Sequence, residues 1–133
     1  METVAAPADR KYSPSHIWAM PDGEGTVRVG ISHVAAAMLG DAVYLEMPSE
    51  GTGLQAGEPV GLIESSYVVF EVVSPLSGTL AEVNPAVLES PERATSDPYG
   101  EGWLYRLQSV DPAGFESLAT AGEYLPPPEA DRS

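Results

Sequence analysis

Short apolar runs recur along the chain between breaks that carry glycine or proline, and this spacing predicts many short strands joined by tight turns. Thr26–Ile31 is the first strand candidate, set off by Asp22-Gly23-Glu24-Gly25 before it and Ser32 after it. The Ser32 hydroxyl suits a helix N-cap, the following residues to Leu39 are Ala-rich, and Gly40 is a suitable terminator, which predicts a helix of about two turns. Asp41–Met47 alternates as a half-buried strand that Pro48 ends, and Pro59–Ser65 reads as another. Tyr67–Val73 (YVVFEVV) is strongly β-prone. Pro75-Leu76-Ser77-Gly78 then turns the chain into a strand over Thr79–Val83, and the strands on both sides are expected in one sheet system. Pro85–Asp97 is polar and broken by prolines, which predicts one irregular helical turn. Trp103–Gln108 is the last strand. Asp111-Pro112 opens a helix on which Phe115, Leu118 and Ala119 share a face, expected to lie over the strands as a lid.

With 133 residues, the chain has room for one core. A hydrophobic content of 43% is enough to fill it. The ends are poorer: residues 1–11 and 125–133 are expected to be disordered tails around a domain over 12–124. A formal net charge of −14 repels nucleic-acid phosphate and anionic lipid, so neither nucleic acid nor membrane is expected as a partner. His16 and His33 lie far apart, no acidic run has the spacing of a calcium loop, and cysteine is absent. No metal, disulfide or thiolate chemistry is therefore expected. The N-terminus METVAAPADRK has no apolar targeting core and no stretch approaches the ~18 apolar residues of a membrane helix, so a cytoplasmic location is expected. No nucleophile, base and orienting group share a recognisable spacing, so an enzyme is not expected.

The order of these elements, with Tyr12–Trp18 (YSPSHIW), Val29-Gly30-Ile31-Ser32, Leu39-Gly40-Asp41, Ala56-Gly57-Glu58, Glu64-Ser65, Ser74–Gly78 (SPLSG), Glu82-Val83-Asn84 and Ser96–Leu104 (SDPYGEGWL), resembles the glycine cleavage system H proteins. The match runs from Tyr12 to Tyr124 without a gap. It implies a mainly β, barrel-sandwich hybrid of the lipoyl- and biotinyl-carrier type, with short flanking helices and two facing antiparallel sheets. It also implies a hairpin that displays a lipoyl-lysine, whose arm moves an aminomethyl group among decarboxylase, aminomethyl-transfer and dihydrolipoyl dehydrogenase partners.

The chain departs from that pattern at the arm. Where the family has Glu-Ser-x-Lys, this sequence reads Glu64-Ser65-Ser66-Tyr67, and its only lysine is Lys11. A phenol cannot form the lipoyl amide, which needs a primary amine. The family's early segment also carries an acid between its His and Trp, a group that resembles a holder for the loaded arm, and here that place is Ile17. Glu71 retains an acid beside the hairpin. The reading is a non-lipoylated H-like pseudo-carrier with no cofactor, acting as a scaffold or regulator through contacts with enzymes that dock H-type or lipoyl carriers. Its expected partner-binding residues are Ser66, Tyr67, Val68, Phe70, Glu71, Tyr99 and Glu101, with Tyr67 to Phe70 forming an exposed apolar tip. The alternative is a repurposed carrier or small-molecule-binding module in a specialised biosynthetic pathway, with Tyr67, Ser65 or Ser66 as an attachment point and Glu71 and Ser15 as polar groups of a pocket.

Overall fold

The computed structural model describes residues 6–23 and 25–125. The elements run β1 (Lys11–Tyr12), β2 (Ile17–Gly23), β3 (Thr26–Ile31), α1 (His33–Leu39), β4 (Ala42–Glu46), β5 (Gly53–Leu54), β6 (Pro59–Ser65) and β7 (Val69–Val73). They continue with β8 (Gly78–Val83), α2 (Pro85–Glu89), α3 (Arg93–Ser96), β9 (Tyr105–Gln108), α4 (Pro112–Glu116) and α5 (Ala121–Tyr124). The strands form a six-stranded sheet in the order β1-β2-β3-β9-β8-β5 and a three-stranded sheet in the order β4-β6-β7, and all pairings are antiparallel. One apolar cluster draws Ile17, Val29, Ile31, Leu80 and Leu107 from the first sheet and Ile63 and Val72 from the second. The core lies between the sheets, in the barrel-sandwich arrangement that the resemblance implies.

Helix α1 forms as the sequence predicts. Ser32 accepts a hydrogen bond from the Ala35 amide at its start, and Gly40 ends it with φ at 79°. Several other expectations are corrected. β7 and β8 belong to different sheets, because Ser74, Pro75 and Leu76 are buried as the chain crosses between them, with Ser74 Oγ donating to the Leu76 carbonyl. The single helix expected after Asp111 is two: α4 stops at Glu116, and α5 starts from its own capping box of Thr120 and Glu123. Pro85–Asp97 likewise holds two short helices, and the last strand begins at Tyr105. β2, which the apolar pattern does not mark, contains Pro21 beyond the point where β1 ends, and a proline is tolerated on such an edge.

The N-terminal boundary also moves. Arg10 is buried, its guanidinium 4.5 Å from the Trp18 ring and 5.3 Å from that of Tyr99, while Lys11 pairs with Ala19 in β1. Tyr12 stacks on Tyr124 with ring centroids 4.7 Å apart and exchanges backbone bonds with Ala119, which ties the two ends of the chain together. Of the tails expected at 1–11 and 125–133, residues 1–5 and 126–133 lie outside the described residues. Gly30 is a packing glycine rather than a turn device: it stands opposite Trp18, and a Cβ there would fall 2.5 Å from the indole.

Candidate functional site

The hairpin of β6 and β7 follows from where its turn closes. The Ser65 amide donates to the Val68 carbonyl at 2.9 Å, leaving Ser66 and Tyr67 as the two apex residues. The Ser65 hydroxyl accepts the amides of Tyr67 (3.3 Å) and Val68 (3.1 Å), so the turn is braced from within. Below it, Glu64 pairs with Val69, Ile63 with Phe70 and Leu62 with Glu71. The strand thus begins at Val69, and Tyr67 and Val68 belong to the turn rather than to the strand the apolar run suggests.

This register sorts the expected site residues by face. Tyr67, at the apex, is 93% exposed, and Ser66 beside it is exposed. Val68 is 38% exposed. Phe70 does not contribute to the exposed tip: it shares the inward row with Leu45 and Ile63 and packs against the core. Its place is taken by Val69, 62% exposed on the outward face. Two rows cross the three strands on that face, Tyr44–Glu64–Val69 and Glu46–Leu62–Glu71. Tyr44 and Val43, exposed at the β4 bulge, were not marked by sequence; the bulge breaks the alternation that would have shown which of them faces outward.

The two residues expected on the Asp97–Gly102 loop make their contacts with residues other than those of the apex. Tyr99 is half-buried between Trp18 and His33: its hydroxyl accepts the His33 amide at 3.0 Å and lies 2.7 Å from His33 Nδ1. Burial pushes its phenol above the ordinary tyrosine value. Glu101 is exposed and accepts from Arg93 at 2.8 Å, while its carbonyl accepts from the Asn84 amide group. Both residues therefore hold the loop in shape. A chain of bonds links loop and hairpin indirectly, since Ala42 pairs with Ser65 and donates to Thr95 of α3.

The residues present do not fit a lipoyl amide. The apex offers a phenol, and the Lys11 ammonium, on an edge strand of the other sheet, donates to the Glu116 carbonyl at 3.1 Å. Ile17, at the former acid position, is fully buried opposite Ile31 and is part of the core. Ser65, one of the alternative attachment points, is spent on the turn.

The profile of the family described as Glycine cleavage H-protein matches residues 10–127. The chain is 41% identical over 118 residues to a glycine cleavage system H protein of Neisseria meningitidis, a match covering 89% of this chain and 92% of that one. It is 42% identical over 118 residues to one of Thermus thermophilus, covering 91% of that protein. The crystal structure of a glycine cleavage system H protein from Mycobacterium marinum superposes with a TM-score of 0.77 at 40% identity, covering 89% of this chain and 94% of that one. That family is one of carriers rather than enzymes. With the family profile matched over residues 10–127 and relatives 41–42% identical over most of their length, this chain belongs to the glycine cleavage H-protein family.

Proposed function

We propose that this chain is a non-lipoylated member of its family, working in the cytoplasm by protein–protein contact as a scaffold or regulator of enzymes that dock H-type carriers. The single observation that carries the reading is Tyr67, an almost fully exposed phenol at the apex of the hairpin where the family pattern has a lysine. Attachment of a lipoyl group needs an amine nucleophile, and the hairpin has none. An exposed aromatic at a protruding tip, flanked by Val68 and Val69, suits a surface that a partner covers. In this role the protein occupies a carrier's docking site without transferring a group.

Intact mass of the protein purified from its native host, with peptide mapping across Gly61–Gly78, tests the reading. The expected mass is that of the unmodified chain. An increment mapped to Ser66 or Tyr67 overturns the reading and makes the protein a carrier with a different attachment.

A further inference from the structure

We propose that β7 is a docking edge which takes an added strand from the partner, and that the strand it fits alternates apolar with cationic residues. The proposal rests on the contact reading above and names the mode and chemistry of that contact. The Ser65-to-Val68 bond fixes the phase of the ladder: bonded pairs then fall at Phe70 and Val72, and the N–H and C=O of Val69 and Glu71 turn away from β6. β7 is the outer strand of its sheet, and among the described residues no other backbone or side-chain group bonds those positions. Val69–Val73 contains neither proline nor lysine to blunt this edge, and its one charged residue, Glu71, discourages a like-charged strand while leaving a cationic one free to pair. Four of its five residues are Val or Phe, so the run favours pairing.

Charge selects the occupant. The outward rows next to this edge carry Glu46, Glu64 and Glu71, none of which is in an ion pair among the described residues. All five described cations, Arg10, Lys11, Arg28, Arg93 and Arg106, are already paired with acids. A second copy is a poor occupant: two-fold antiparallel pairing centred on Glu71 sets two carboxylates face to face, between molecules that each carry −14. A cationic residue opposite Glu71, with apolar residues opposite its neighbours, satisfies both the backbone and the charge.

The test is amide hydrogen exchange, read by NMR on the full chain labelled with nitrogen-15, during titration with a synthetic peptide of alternating lysine and valine. A counterpart with glutamate for lysine is the control. At peptide concentrations about ten times the dissociation constant, the Val69 and Glu71 amides are expected to exchange about tenfold more slowly. Phe70 and Val72, already bonded to β6, serve as the internal reference. The glutamate peptide is expected to leave all four unchanged. Val69→Pro removes an outward N–H without touching a ladder bond and is expected to abolish the protection at Glu71; the wild-type titration stands by itself if that variant misfolds. Unchanged exchange at saturating lysine peptide, or equal protection by both peptides, overturns the proposal. Protection that rises with protein concentration alone overturns it in favour of a second copy. Intact mass is indifferent to these outcomes, so failure here is distinguishable from failure of the non-lipoylated reading.

Discussion

The Tyr99 hydroxyl accepts the His33 backbone amide, which leaves its own proton to point at His33 Nδ1, 2.7 Å away. That arrangement needs a neutral imidazole, and burial holds the His33 pKa below its ordinary value. The unfolded chain therefore takes up the proton first as pH falls. Stability from this group is full above about 6.5 and is lost as pH falls from there through the lower folded value. His33→Gln is expected to flatten the dependence of the urea midpoint on pH across that window; an unchanged slope would mean that another group titrates there. Gly30 shows a second residue whose role depends on one neighbour. Gly30→Ala drives a methyl against the Trp18 ring and is expected to cost about 1–3 kcal/mol in urea unfolding, with a changed near-ultraviolet signal from the indole. The sequence marks Gly30 only as a glycine, since the residue that needs its missing side chain is twelve positions away on the neighbouring strand.

At the scale of elements, the hairpin separates folding from function. Ser65 braces the turn and Tyr67 touches solvent, so the two neighbours are expected to respond in opposite ways. Ser65→Ala is expected to lower stability by about 1 kcal/mol and to speed exchange of the Tyr67 and Val68 amides. Tyr67→Ala is expected to stay within about 0.5 kcal/mol of wild type by the same denaturation assay. Loss of stability in Tyr67→Ala would show that its ring packs on the hairpin and is not free for a partner. The existence of this hairpin was legible, because a β-prone run follows a strand after Ser65-Ser66. Its facing was not, because Val68, Val69 and Phe70 offer no polar alternation to tell one side from the other. The turn decides, by closing at Val68. β2 escaped notice for the opposite reason: Met20-Pro21-Asp22 looks like a turn, and only its pairing with β3 makes it a strand. Likewise α4 closes at its C-cap Ser117, which interrupts a helical pattern that the spacing of Phe115, Leu118 and Ala119 suggests is continuous. Element order carried the fold through the family resemblance, where periodicity alone would have left the two sheets unassigned.

For the molecule as a whole, the charge balance sets two opposing effects of salt. The described cations are gathered into pairs, and the best placed are at Asp22, which accepts from Arg106 at 2.8 Å, and Glu82, which accepts from the same guanidinium at 2.6 Å. Burial raises the Asp22 carboxyl, but hydrogen bonds from Arg106 and Thr26 outweigh it and hold the group below the ordinary value. These pairs are local and partly covered, so salt weakens them little. Beyond Asp22, Glu82 and the paired Asp9, Glu101 and Glu116, the described acids are in no ion pair, and with a net −14 their mutual repulsion acts across the whole surface. Repulsion among exposed charges is what a short Debye length removes. Raising sodium chloride from about 20 mM to about 500 mM is therefore expected to raise the melting temperature by about 4 °C. Asp22→Asn separates the two contributions, since it removes the bridge and also one negative charge. If global repulsion dominates, the variant melts lower at every salt concentration but gains as much from salt as wild type does. If wild type instead melts lower in high salt, the local ion pairs govern stability and the acidic surface is energetically idle in the folded chain.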